Sequence, residues 1–125
     1  MAAALPELLR RALRARVYDR RGRVEPGTKR RDRVASSLLL DLNGFDAVAS
    51  LTEALRLRPG TEIMFWMQWP DLWIEFVDDR GIPLVCLGLL RPDWVRWEPH
   101  GDLQLAVPEA AEGLIASWGL NDANA

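Results

Sequence analysis

The sequence predicts an α+β domain with one antiparallel sheet of about four or five strands and two or three helices packed against it. Between residues 62 and 105, short apolar segments alternate with tight turns, and strands joined by tight turns pair antiparallel. The helical patterns flank this block instead of alternating with every strand, which is typical of the α+β class. With 125 residues, the chain is long enough to bury one substantial core.

The N-terminal residues predict a helix followed by a turn and a loop. Apolar residues recur at helical spacing from Leu5 to Leu13, which predicts a helix over residues 6–16. Residues 17–24 predict a small hairpin. The next stretch, residues 25–33, contains no apolar side chain and predicts a solvated loop.

Charge divides the chain into a basic arm and an acidic body. Residues 1–33 carry eleven basic and four acidic groups, a net charge of +7. The whole chain carries −2, so the remaining residues carry −9. We therefore predict an arm over residues 1–33, a body over 34–120 and a disordered tail over 121–125.

The body is predicted to begin with a strand over residues 36–42 and a helix that ends before Pro59. Asn43 is expected to cap this helix, with Asp46 in its first turn. The spacing of apolar residues gives this helix a buried stripe. The stripe is predicted to contain Phe45, Val48, Thr52 and Leu55, with Ala49 and Leu51 beside them.

The rest of the body predicts strands and one closing helix. Strands are expected over 62–69, 72–78, 82–90 and 94–98, with a brief further pairing over 103–105. Pro108 suits the start of a last helix and Gly119 its end. The inward face of that helix is predicted to be Ala111, Leu114, Ile115 and Trp118.

Alternation along the strands sorts their side chains into an inner and an outer face. Leu72, Ile74 and Phe76 are predicted to face the core, because Glu75 on the other side does not belong there. Gln68 and the charged residues of the strand over 94–98 mark the outer face in the same way. The outer face would therefore present Met64, Trp66, Gln68, Trp73, Glu75, Trp94 and Arg96.

This tryptophan-rich face is expected to be covered. Three buried tryptophans cover about 450–750 Å², at about 150–250 Å² each. The largest apolar patch on a typical monomer is about 300–600 Å². Three covers remain open: the protein's own helices, a second copy or protein partner, and a small ligand in a tryptophan-lined cleft.

A protein partner is the interpretation that we favour for function. Tryptophan and arginine are enriched at binding hot spots. Trp66, Trp73 and Trp94 are the predicted anchors, with Met64 beside them and Arg96 and Glu75 setting orientation. The chain is then a non-enzymatic interaction or accessory module. Its partner would be a second copy or a bacterial protein such as a toxin, an effector or an assembly component.

Catalytic, metal and cofactor chemistry finds little support in the sequence. His100 is the only histidine and lies in a turn. Cys86, the only cysteine, lies in an apolar strand, where burial is expected to make it unreactive. The chain contains no zinc-type cluster and no glycine-rich phosphate loop. We therefore expect no metal and no cofactor, and an enzyme that uses carboxylates stays open only as a minor alternative.

Nucleic-acid binding by the arm is the main alternative function. Lysine and arginine side chains neutralise phosphates, and such binding weakens steeply with salt. The aromatic residues on which single-stranded bases stack are lacking, since Tyr18 alone lies nearby. The predicted contacts are Arg20, Arg21, Arg23, Lys29, Arg30, Arg31 and Arg33.

Three features lead us to expect a cytoplasmic protein. The longest apolar run, residues 84–90, is far shorter than the roughly 20 residues needed to cross a bilayer. The N-terminal residues do not follow the basic-then-apolar order of a signal peptide. A single cysteine excludes internal disulfides, in keeping with a reducing compartment.

Overall fold

The computed structural model describes residues 4–19, 38–58, 70, 72–97 and 101–119. These residues form three helices and one antiparallel sheet of six strands, which confirms the predicted α+β class. The sheet has one strand more than predicted. In chain order the elements are α1 (Ala4–Arg10), β1 (Arg14–Asp19), β2 (Leu38–Asn43), α2 (Phe45–Ala54), β3 (Leu72–Val77), β4 (Pro83–Leu90), β5 (Trp94–Trp97), β6 (Gly101–Gln104) and α3 (Pro108–Ser117).

The strand order across the sheet is β2-β1-β3-β4-β5-β6. From β3 to β6 each strand pairs with the next one in the chain, and all of these pairs are antiparallel. The first strand, β1, lies between β2 and β3 and pairs antiparallel with both. Arg16 on β1 is therefore flanked by Asp41 on one side and by Glu75 on the other.

All three helices pack on the same face of the sheet. Leu5 and Leu9 of α1, Leu51 of α2 and Ile115 of α3 belong to one apolar cluster with the inward side chains of the strands. In the sheet this cluster contains Ala15, Val17, Leu72, Ile74, Phe76, Val85, Leu87, Leu89, Val95, Trp97 and Leu103. The predicted inner set of β3, Leu72, Ile74 and Phe76, thus lies in the core.

The position of β1 in the sheet changes the extent of the predicted arm. The predicted helix over residues 6–16 ends at Arg10, and residues 14–19 form a strand instead. Ala15 and Val17 are fully buried in the core while Arg14 and Arg16, which alternate with them, are half-buried, a period of two that suits a strand. Residues 4–19 therefore belong to the body. The rest of the arm, residues 20–33, and the tail over 121–125 lie outside the described residues.

The start of α2 also differs from the prediction. Gly44, not Asn43, occupies the capping position, with φ +101°, a backbone conformation that glycine adopts easily. Val48 and Leu51 are buried, whereas Phe45 is 71% exposed. Phe45 is the first residue of the helix and lies roughly 90° around the axis from the centre of the buried stripe, at about 100° per residue. It therefore projects beyond the core.

The second half of the body follows the prediction closely. The strands predicted over 72–78, 82–90 and 94–98 match β3, β4 and β5, and the brief pairing near 103–105 is part of β6. The closing helix begins at Pro108, and Gly119 follows it with φ +70°. The strand predicted over 62–69 lies outside the described residues. None of the helices described is long and apolar enough to cross a membrane.

The two phenylalanines at positions 76 and 45 allow a matched test of the core. We expect Phe76→Ala to lower the free energy of unfolding by about 3–5 kcal/mol, because its ring is fully buried. Phe45→Ala removes an exposed ring and should change it by no more than about 0.5 kcal/mol. Urea unfolding followed by tryptophan fluorescence measures both changes. Equal losses would contradict this assignment of the core.

Candidate functional site

The face of the sheet opposite the helices carries the predicted anchors Trp73 and Glu75. Both alternate with Leu72, Ile74 and Phe76 along β3, and neither belongs to the helix-side core. However, only 2% of Trp73 and 1% of Glu75 is exposed. Of the covers left open for the tryptophan-rich face, the chain itself is the one found at these two positions, because both side chains are buried within one copy.

The other predicted anchors divide into two groups. Trp94 and Arg96 of β5 are half-buried and lie on the same side of their strand, opposite Val95 and Trp97. Met64, Trp66 and Gln68 lie outside the described residues. The structure thus brings Trp73, Glu75, Trp94 and Arg96 to one sheet face.

Trp73 packs directly on the backbone of the neighbouring strand. It is opposite Gly88 in the pairing of β3 with β4. A Cβ atom added to Gly88 would lie 2.6 Å from Cγ of Pro70 and 2.9 Å from Cζ3 of Trp73. Position 88 therefore requires glycine, because the proline and the indole ring occupy the space of a side chain. The indole Nε1–H of Trp73 is buried and has no hydrogen-bond acceptor in the part of the chain that the structure describes.

Glu75 is held by two groups from β1. The Tyr18 hydroxyl donates a hydrogen bond to Oε1 of Glu75 over 3.2 Å, and Nη1 of Arg16 lies 3.4 Å from the same oxygen. Burial of the phenol, followed by the negative charge of Glu75, raises the pKa of Tyr18 to about 12. A phenolate here would lose its hydration and meet a carboxylate, so Tyr18 stays protonated as a donor.

Asp102 is a second buried carboxylate on this face, and sequence reasoning missed it. It is fully buried and opposite Arg96 in the pairing of β5 with β6. Nε and Nη2 of Arg96 donate to its two carboxylate oxygens over 2.8 and 3.2 Å. The predicted pairing began only at residue 103, whereas β6 starts at Gly101 opposite Trp97, and this register places Asp102 opposite Arg96.

A third ion pair lies at the β2 end of the same face. Nε and Nη2 of Arg14 donate to the two oxygens of Asp41 over 2.9 and 2.6 Å. The hydrogen bond from Arg14 holds the pKa of Asp41 below its ordinary value. Cation–carboxylate pairs therefore cross this face of the sheet from β2 to β6, and Glu75 and Asp102 each have an arginine partner.

Reactive and metal-binding groups are sparse in the described residues. These residues contain no group of three or more His, Cys, Asp or Glu side chains that could hold a metal ion. Cys86 is half-buried, which corrects the expectation of a buried thiol, and it is opposite Glu75 in the strand pairing. His100 and the predicted nucleic-acid contacts from Arg20 to Arg33 lie outside the described residues. Nucleic-acid binding stays a prediction.

A different surface of the described chain exposes large apolar side chains. Phe45 is 71% exposed, Ile82 is 52% exposed and Leu13 is 40% exposed. Their backbones meet at one end of the sheet: Gly44 N–H donates to the Leu13 carbonyl over 3.3 Å, and Leu13 N–H donates to the Val77 carbonyl over 2.9 Å. We call Leu13, Phe45 and Ile82 the apolar end of the sheet.

Ile82 is fixed at this end by the turn between β3 and β4. Oδ1 of Asp78 accepts hydrogen bonds from the backbone N–H groups of Arg80 and Ile82 over 2.8 and 2.9 Å. These bonds, the one from Ile82 first, hold the pKa of Asp78 below its ordinary value. The Asp78 N–H in turn donates to the Ile82 carbonyl over 3.0 Å. The turn therefore presents Ile82 in one defined position.

Comparison of the chain with protein-family models, with curated proteins and with solved structures gave no match. The geometry of the described residues is therefore the basis for a functional proposal.

Tyr18 can be titrated without interference, because it is the only tyrosine of the chain. We expect its phenol to ionise near pH 12 in the folded protein and near pH 10 after unfolding. The raised pKa stabilises the fold fully below about pH 10, and this contribution is lost as the pH rises to about 12. Ultraviolet absorbance of the phenolate measures both values. Ionisation near pH 10 in the folded protein would contradict the burial of the Tyr18 phenol beside Glu75.

Two bidentate arginine–carboxylate pairs provide a matched test of burial. Arg96→Ala leaves the buried Asp102 without this partner, and we expect it to lower the free energy of unfolding by about 3–5 kcal/mol. Arg91→Ala breaks a pair with Glu112 whose side chains are 37% and 33% exposed, so we expect a loss of no more than about 1 kcal/mol.

Urea unfolding of both variants checks this difference. The double variant Arg96→Met/Asp102→Leu should recover most of the stability lost in Arg96→Ala, because no unpaired charge remains buried. Equal effects of Arg96→Ala and Arg91→Ala would show that burial of Asp102 does not govern the loss.

Proposed function

We propose that this protein is a non-enzymatic interaction module that binds a protein partner at the apolar end of its sheet. The exposure of Phe45 carries the proposal. A ring that is 71% exposed leaves about 100–180 Å² of aromatic surface in water, since an aromatic side chain buries about 150–250 Å² when covered. Phe45 alone therefore offers a large apolar area that a partner can bury, as the aromatic residues of binding hot spots do.

The neighbours of Phe45 support the same proposal. Scattered single apolar residues are normal on a protein surface, whereas neighbouring ones mark interaction sites. Leu13 and Ile82 lie on segments joined to that of Phe45 by backbone hydrogen bonds, so the three side chains share one rigid part of the fold. The order already present there reduces the entropy lost on binding.

The proposed surface, the apolar end of the sheet, differs from the tryptophan-rich sheet face that was predicted from the sequence. Trp73 and Glu75 are both buried, and Glu75 also accepts a hydrogen bond from Tyr18, so we do not propose them as anchors. The apolar end of the sheet takes their place, and its partner is a protein surface that presents apolar side chains. The tryptophan-lined cleft for a small ligand stays an alternative, and the buried Nε1–H of Trp73 is the observation that favours it.

A photo-reactive amino acid at position 45 tests the proposal in extracts of the host. We expect position 45 to cross-link a defined protein, and position 107, which is 41% exposed on another part of the fold, to serve as the control site. The captured protein is then produced in pure form. Its affinity should fall at least about tenfold for Phe45→Ala/Ile82→Ala, the effect of losing about 1.4 kcal/mol at a hot spot.

The control variant for affinity is Val107→Ala, which should bind like the wild type. Circular dichroism checks that both variants keep the fold. A purified partner that binds wild type and the Phe45→Ala/Ile82→Ala variant with equal affinity would refute the apolar end as the binding surface. Equal cross-linking from positions 45 and 107 would do the same.

A further inference from the structure

Within the described residues, the two edges of the sheet differ in the backbone pairing that they receive. Residues 56–58 pair with the chain at the end of β6: Leu57 bridges to Leu105, Arg58 N–H donates to the Gln104 carbonyl over 2.9 Å, and Ala106 N–H donates to the Arg56 carbonyl over 2.8 Å. At the other edge, no strand of the described chain lies beyond β2. An open edge presents backbone N–H and C=O groups that can pair with another strand.

The composition of β2 does not protect this edge. Its sequence is Leu-Leu-Leu-Asp-Leu-Asn, with neither the lysine nor the proline that usually discourages pairing. Four of its residues are half-buried and Leu38 is 37% exposed, whereas every residue of β3 is buried. An irregularity in its pairing with β1 is confined to the start of the strand, and the register is regular from Leu40 to Asn43.

The charge at this edge selects the kind of partner. Asp41 is the only charged residue of β2, and both of its carboxylate oxygens accept hydrogen bonds from Arg14 of the adjacent strand. The edge therefore offers a neutral apolar strand, and its complement is another neutral apolar strand. A second copy of the chain supplies one.

We propose that two copies of this protein pair antiparallel through β2, about a twofold axis at Leu40. Residues opposite each other in an antiparallel pair point to the same side of the sheet, so only registers that keep the two faces matched are allowed. Pairing Leu40 with Leu40 of the second copy meets this condition and joins leucine to leucine. The neighbouring allowed register would place Asp41 opposite Asp41, and like charges directly opposite are unfavourable.

The helices permit this arrangement. α2 packs over β1 and β2, on one side of the sheet. With strands about 4.8 Å apart, the twofold axis would place the two α2 helices about 10 Å from each other, a normal packing distance. The interface then combines one strand pair with one helix pair. We expect such a limited contact to give a dimer whose population depends on protein concentration.

Disulfide trapping tests both the pairing and its register. Leu40→Cys is made in a Cys86→Ser background, so that the new cysteine is the only one in the chain. In the proposed register the Cα atoms of the two copies lie about 4.5–5.5 Å apart, within the about 4.4–6.8 Å that a disulfide requires. We expect a cross-linked dimer on mild oxidation. Asp41→Cys in the same background should cross-link at least about tenfold more slowly, because its counterpart is about two residues away along the strand.

Light scattering and sedimentation of the wild type decide the question even where a cysteine variant fails to fold. A mass that rises with concentration towards twice 14.1 kDa supports the proposal. Leu38→Lys adds a charge to the exposed start of the edge and should raise the dissociation constant at least about tenfold. The control Val107→Lys, at a side chain that is 41% exposed and lies outside both proposed surfaces, should leave it unchanged.

Three results would overturn the β2 dimer. They are a wild type that stays monomeric at high concentration, equal cross-linking of the two cysteine variants, and a dimer that Leu38→Lys leaves intact. The inference does not depend on the partner proposed for the apolar end of the sheet, and each can fail without the other.

Discussion

Burial of β3 on both faces is the constraint from which the rest of the structure follows. All six of its residues are buried, although Glu75 is one of them. On the helix side, Leu72, Ile74 and Phe76 pack in the apolar core. On the other side Glu75 is buried, and Arg16 and Tyr18 of β1 form hydrogen bonds with its carboxylate. A buried carboxylate needs such partners, since an unpaired buried charge is strongly destabilising. The place of β1 beside β3 is thus an electrostatic requirement as well as a hydrogen-bonding one.

The polar face is organised by strand register more than by proximity in sequence. Arg16 and Glu75, and Arg96 and Asp102, are directly opposite each other on adjacent strands. A shift of one residue in β1 or β5 would turn its arginine towards the helices and an alanine, valine or tryptophan towards the charged face. These buried pairs therefore specify register, while the apolar contacts of the other face contribute most of the stability.

The sequence predicted the architecture well wherever one pattern dominated. Alternation identified β3 and β5, and Pro108 and Gly119 marked the last helix. The prediction from sequence was wrong near the N-terminus, because the helical spacing of Leu5 to Leu13 runs directly into the alternation of Arg14 to Val17. In addition, a local pattern does not show which strand will pair with β3. The sequence left open what covers Trp73 for a related reason. Alternation tells which face a side chain occupies, but not whether Pro70 and a neighbouring glycine leave room for it to be buried.

The insertion of β1 between β2 and β3 has a consequence for the order of folding during synthesis. Arg16 and its partner Glu75 are separated by 59 positions, so a ribosome adding about 5–20 residues per second needs about 3–12 s between them. Over that interval β2 is the only strand with which β1 can pair, and an isolated two-stranded hairpin is marginal in water. The edge of β1 that will carry β3 therefore stays unpaired until the second half of the chain emerges.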